Sequence, residues 1–216
     1  MRQRRKPAFL GLLGTLLVAH TVFGQPSPLN PASVTIDGPY HGFNVDDHLI
    51  DNQQRAAFVP YLYEQLGSVE SVGLPTEVSA FFKKVPIVID PALRGMPGRY
   101  DKFNGQWVVE VRPIPMSNQT PIVLHELLHA YHDQVLTMQN PDIINAYKRA
   151  KLLSAYPPEF QTAHFQENSK EFFAVIGSIY LFHNIKQPPY DCSIPARTDP
   201  VFLAFLAKIF GPHTCN

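Results

Sequence analysis

The sequence predicts an α+β domain, with a small twisted sheet in its first half and a mainly helical second half. Three observations carry this reading. Two short β-branched runs, Val85–Ile89 and Gln106–Arg112, lie before residue 120. From Pro121 onward, apolar residues recur at helical spacing in several successive segments. Prolines divide those segments, and 21 prolines in 216 residues, about twice the usual share, fit short stiff connections.

The chain opens with Arg2, Arg4, Arg5 and Lys6, followed by an apolar run over 8–23 and the small residues Val22 and Gly24 before Gln25. This is the layout of a secretory signal peptide, expected to occupy residues 1–24. The run is too short and too loosely apolar for a comfortable membrane span. Its removal takes away four positive charges and leaves 14 Lys+Arg against 18 Asp+Glu, a net charge of −4. A mildly acidic exported protein is a poor partner for nucleic acid or an anionic membrane, so neither is expected. A secreted or periplasmic monomer is the resulting expectation.

Residues 25–45 are rich in Pro, Ser, Asn and Gly and read as an extended leader. A domain over 46–216 follows. Residues 52–66 have helical periodicity, with Ala57, Leu62 and Leu66 near one face and Pro60 expected to kink or restart the helix. Val85–Ile89 reads as a strand. Gly95, Pro97, Gly98, Asn104 and Gly105 supply turn chemistry. Gln106–Arg112 alternates Trp107, Val109 and Val111 against Val108, Glu110 and Arg112, and reads as a strand near a sheet edge.

Thr120-Pro121 looks like a helix cap followed by a first-turn proline, opening a helix to about Met138. Asn118-Gln119-Thr120 also has the form of a glycosylation sequon, but the cap explains Thr120 better. Further helices are expected over 141–153, over roughly His164–Asn184, and from Asp199-Pro200 to Gly211. Cys192 and Cys215 are the two cysteines, and in an exported chain they read as one disulfide, contributing roughly 3 kcal/mol by loop closure. The rival reading, a pair of metal-binding thiolates, has no standard zinc spacing.

The chemistry sits in His125-Glu126-Leu127-Leu128-His129. Two histidines four apart on a helix project from one face, one turn apart, and can converge on a zinc ion without bending the backbone. Glu126 leaves at another angle, suited to a general base that takes a proton from an activated water and returns it to the leaving amine. Chance would place this five-residue pattern in about one chain in seventy of this composition. The apolar flank Ile122, Val123, Leu124, Leu127, Leu128 and Ala130 would bury the helix, and two histidines on such a helix need a reason. His132 is read as a surface or supporting histidine.

Glu167 and Glu171 share one face of the next long helix, and either could complete the site. Here a resemblance becomes specific. Asn168-x-x-Glu171-Phe172-Phe173-Ala174, together with His125-Glu126-x-x-His129, resembles the paired motifs of a gluzincin zinc metallopeptidase group. That group holds the anthrax lethal factor catalytic domain, the secreted Pro-Pro endopeptidases and the bacterial peptidase that senses the glucose-transport repressor. The likeness covers about fifteen residues, and it implies a zincin-like fold, a zinc cofactor and a peptide or protein substrate. It implies Glu171 as the third ligand beside His125 and His129, with Glu167 the alternative. Where the group has an oxyanion-stabilising Tyr, seven residues before the ligand, this chain has His164, which can donate a hydrogen bond in the same way, with Tyr131, Tyr156 and Tyr180 as substitutes. Where the lethal factor type has an acidic residue four past the ligand, this chain has Val175, so support for a liganding imidazole is expected from Glu167 or a backbone carbonyl. The strand carrying Trp107, Val109 and Val111 matches the substrate-pairing edge of the resembling enzymes, which bind peptide by strand addition.

Two rivals stand beside the peptidase reading. One is a non-catalytic exported zinc-binding module. The other is a toxin-like protease with one specific protein target.

Overall fold

A computed structural model describes residues 40–152 and 156–215. The expected signal peptide and the first part of the leader lie outside the described residues. The end of the leader is built into the fold, because Tyr40 and Phe43 are buried against the core.

The described chain is α+β, with seven helices and one four-stranded sheet. The strands are β1 (Val45–Asp46), β2 (Ile87–Ile89), β3 (Gly98–Phe103) and β4 (Gln106–Val111), in the order β1-β2-β4-β3. β1, β2 and β4 are parallel, with Ile87 opposite both Val45 and Val109. β2 is buried at all three residues, which is why it reads as an uninterrupted apolar run. β3 and β4 form an antiparallel hairpin closed by Asn104-Gly105, both at positive φ, the geometry for which Asn-Gly is the preferred pair.

This arrangement corrects the expectation for Gln106–Arg112. β4 lies between β2 and β3, and Val109 and Val111 are fully buried, so they cannot pair with an added peptide. The outer strand is β3, which turn residues and a polar composition concealed. The Arg112 N–H donates to the Pro97 carbonyl at 2.9 Å and fixes the phase of the hairpin. Residues 99, 101 and 103 therefore bond to β4, while 98, 100 and 102 turn their backbone groups outward.

α1 (Asn52–Ser71) is capped by Asp51, whose side chain and that of Gln54 satisfy each other's backbone N–H groups. It runs through Pro60 without a break. Phe58, Val59, Leu62, Leu66 and Val69 face inward, whereas Ala57, expected on that face, is exposed. α2 (Thr76–Lys84) was not expected from the sequence, although Val78, Phe81 and Phe82 carry helical spacing.

α3 (Ile122–Tyr131) is shorter than the expected helix. It passes into a π-helical turn, His132–Leu136, and Thr137 at positive φ ends the run. Thr120 does not cap it. Gln65 of α1 takes that role from a distance, its Oε1 accepting from the Val123 N–H at 3.2 Å. The Gln65 amide also donates to the carbonyls of Ser117 and Thr120.

α4 (Pro141–Leu152), α5 (Ser169–Phe182), α6 (Ser193–Thr198) and α7 (Pro200–Phe210) complete the helical half. α5 is buried along its length from Phe172 to Leu181 and packs on α3. At Gly177 a side chain would place Cβ 3.2 Å from Leu128, so the missing methyl lets the two helices approach. Asp199 caps α7 and holds Arg149 of α4 through two N–H groups, which ties those helices together. Cys192 and Cys215 form the expected disulfide, with Cα atoms 5.2 Å apart. No helix among the described residues is long and apolar enough to cross a membrane.

Candidate metal centre

The contact of α3 with α5 brings together the three residues singled out as ligands. His125 and His129 project from one face of α3. Glu171 comes from the first turn of α5, whose start is set by Asn168 accepting from the N–H groups of Lys170 and Glu171. The expected start at His164 is therefore five residues early, and His164 sits on a separate 3₁₀ turn, His164–Gln166.

The three donor atoms form a nearly equilateral triangle. His125 Nε2 and His129 Nε2 are 3.1 Å apart, and each is 3.2 Å from Glu171 Oε2. A tetrahedral zinc site with bonds of about 2.0–2.1 Å has ligand–ligand edges of about 3.3 Å. Two imidazoles and one carboxylate also form a donor set that suits zinc. The group is able to hold a metal ion. Burial alone would push the Glu171 carboxyl up, but contacts with His125, His129 and His164 override it and hold the group ionised well below the usual range.

Glu126 follows His125 and lies toward the sheet. It is only 8% exposed, and burial raises its carboxyl to about 7, against the lowering effects of His125 and of the Tyr100 N–H. Gly98 of β3 makes this approach possible. A Cβ there would lie 2.7 Å from Ile122 Cγ2 and 3.0 Å from Glu126 Cγ.

His164 reaches the same carboxylate from the solvent side. Its Nε2 is 2.9 Å from Glu171 Oε2 and its Nδ1 is 3.0 Å from Glu167. Glu171 first, and then Glu167, raise the imidazole to about 9 against its partial burial. Its ring lies 5.8 Å from that of His125, and it does not belong to the triad whose donor atoms are all within 4.8 Å of one another. Glu167 turns to His164 rather than into the triad. Neither Glu167 nor any other partner among the described residues meets the buried His125 Nδ1, so the expected support for that imidazole is missing. His132 is not a surface residue. It is fully buried, packs at a tilt against Phe173 with ring centroids 5.0 Å apart, and has no partner for either ring nitrogen among the described residues.

Around these groups lies a cleft of about 420 Å³. One wall is β3 and the start of β4, where Trp107 stacks on Tyr100 at 5.1 Å. Tyr100 donates to Asp133 and accepts from Gln134, both on the π-helical turn. Trp107 is thus at the cleft, as expected, while Val109 and Val111 are not. Tyr131, Tyr156 and Tyr180 are buried away from it, and the Tyr180 hydroxyl donates to the Gly211 carbonyl. Sequence reasoning missed Gly98, Tyr100, Lys170 and Gln187 at this site. The Asn-Gly pair at 104–105, read as a hairpin turn, would have found β3 and with it the first two.

No family model matches the chain, and no curated protein matches it. Among solved structures, the chain is similar to the Pro-Pro endopeptidase from Paenibacillus alvei, at 18% identity and a TM-score of 0.47, over 80% of this chain and 100% of that one.

Proposed function

We propose that the chain is an exported zinc-dependent endopeptidase. The observation that carries this reading is the triangle of His125 Nε2, His129 Nε2 and Glu171 Oε2, whose edges are those of a tetrahedral zinc site. Zinc held there would supply Lewis acidity, polarising a carbonyl and acidifying a water. Glu126, buried beside His125, takes the proton of the attacking water and passes it to the departing amine. His164 stands at the mouth of the site with its ring nitrogens on Glu171 and Glu167, and it could donate a hydrogen bond to the oxyanion once its Nε2–H leaves Glu171. The outward backbone groups of residues 98 and 102 and the Tyr100 carbonyl on β3 are the place for an extended peptide to add as a strand, with the Tyr100 N–H held by Glu126 and the Trp107–Tyr100 stack as the apolar wall. The disulfide and the signal layout support export. Resemblance of the two motifs to the gluzincin group points the same way.

A second reading, a metal-binding module without turnover, is favoured by one observation: the His125 Nδ1 is buried without a partner among the described residues. An imidazole lacking that bond is a weaker and less firmly oriented ligand. One experiment separates the two. Zinc is counted per chain, and a diverse peptide library is digested by the wild type and by Glu126→Gln. The peptidase reading expects about one zinc at this centre in both proteins, and cleavage lost by at least about a hundredfold in the variant. Equal, negligible cleavage by both proteins, with zinc retained, would remove the general peptidase and leave the binding module or a protease with one specific protein target. Wild-type protein without metal affinity would end both.

A further inference from the structure

We propose a second metal site at the C-terminal cysteines: when the disulfide is reduced, Cys192, Cys215 and the His183 imidazole together bind a zinc-class divalent cation. The three residues offer donor atoms that all lie within 4.8 Å of one another. His183 Nδ1 is 3.5 Å from Cys192 Sγ. A tetrahedral ion with Zn–S near 2.3 Å and Zn–N near 2.0–2.1 Å has an S···N edge of about 3.5 Å. That edge is therefore already formed, and only the Cys215 sulfur has to move, from bonding distance to an S···S edge of about 3.8 Å.

Backbone hydrogen bonds also tie the segments that carry the ligands together. Cys192 donates its N–H to the His183 carbonyl at 3.0 Å, and Asn184 pairs with Asp191 across the same two arms. The tail that carries Cys215 is anchored twice: the Tyr180 hydroxyl donates to the Gly211 carbonyl at 2.7 Å and accepts from the His213 N–H at 3.0 Å. His183 occupies a left-handed position, φ 65°, just past the end of α5. That conformation holds its ring beside the sulfur and is unusual for a residue other than glycine. His183 is exposed, so an ion can reach the site from solvent. The His213 ring lies 5.7 Å from that of His183.

The chemistry balances in two steps. A dithiol reductant gives two electrons and two protons to the S–S bond and leaves as its own cyclic disulfide, producing two protein thiols. Binding of the divalent ion then releases two protons to solvent and forms two metal–thiolate bonds.

The test uses the full chain and cobalt(II) as the probe. With the dithiol removed anaerobically before cobalt is added, a thiolate-to-cobalt charge-transfer band reports this site alone, because the chain has two cysteines and neither lies in the centre on α3 and α5. Reduced protein that keeps its helical circular dichroism should show the band, saturating at one ion and releasing two protons. Oxidised protein should show none, and zinc should displace the cobalt. His183→Gln, which leaves both cysteines in place, should raise the cobalt dissociation constant by at least about tenfold. Absence of the band in reduced, folded protein overturns the proposal. So does a band that appears only after the helical signal is lost, or affinity unchanged in His183→Gln.

Discussion

The most quantitative expectation concerns His132, which sits outside the proposed chemistry. It is fully buried against Phe173, and neither ring nitrogen has a partner among the described residues. Burial, reinforced by the neighbouring His129, pushes its imidazole down to about 4, whereas in the unfolded chain it titrates near 6.5. Above pH 6.5 both states are neutral there, and the group has no effect on stability. Below it the unfolded chain takes up a proton that the folded chain refuses, so stability falls as pH falls through the window from 6.5 to 4. Integrated from pH 7 to pH 5, the loss is about 2 kcal/mol, and it levels off at about 3.4 kcal/mol below pH 4. The perturbation is His132→Leu, which keeps an apolar contact with Phe173 and removes the titrating group. Urea unfolding of both proteins in excess chelator, at pH 7 and pH 5, gives the comparison. The wild type should lose about 2 kcal/mol more than the variant between the two conditions. At pH 7 the variant should be as stable as the wild type or more so, since an unpaired buried polar group has been replaced by an apolar one. Equal losses in the two proteins would refute the assignment of a proton-refusing imidazole to this position.

Three further outcomes follow from the fold and the site. Gly98→Ala should lower stability by about 1–3 kcal/mol in thermal or urea unfolding, and should lower turnover, because its Cβ would meet Ile122 and Glu126 at 3.0 Å or less. Zinc at a hundredfold excess over its dissociation constant should stabilise the wild type by about 2.7 kcal/mol, and His129→Ala by much less, read as a shift in melting temperature. Arg149→Ala leaves the buried Asp199 carboxylate, among the described residues, with only its capping bond, and should cost about 2 kcal/mol in urea unfolding, with cleavage of peptides unaffected.

What could be read from the sequence was local. The spacing of His125, Glu126 and His129 on an apolar helix contains its own geometry, because i and i+4 share a face whatever the tertiary context. Glu171 was reachable because it shares a helix face with Glu167 and because Asn168-x-x-Glu171-Phe172-Phe173-Ala174 carries the resemblance; the Asn168 cap was not read, and the helix was expected to start at His164. The edge of the sheet was not read correctly. Gln106–Val111 has the β-branched residues expected of any strand, and those residues reflect burial between two neighbours, not proximity to a substrate. β3 does the opposite: Gly98, Arg99, Asp101 and Lys102 look like loop residues because the strand has one open side. Thr120 was misjudged for a related reason. A local cap is visible in sequence, whereas the side chain that serves α3 stands 58 residues away in Gln65 and carries no signature. For His132 the sequence left a surface and a supporting role open, because periodicity cannot show that α3 turns π-helical beyond Tyr131.

The Gln65 amide has a consequence for how the molecule opens. Its oxygen and nitrogen together hold the Val123 N–H and the carbonyls of Ser117 and Thr120, so α3 cannot keep its first turn sealed once α1 has swung away. The two helices should therefore open as one unit in native-state hydrogen exchange, with the Val123 amide exchanging at the pace of α1 rather than that of α5. A ligand that clamps the exposed face of α1 would, by the same bond, slow fraying at the head of the helix that carries both imidazoles.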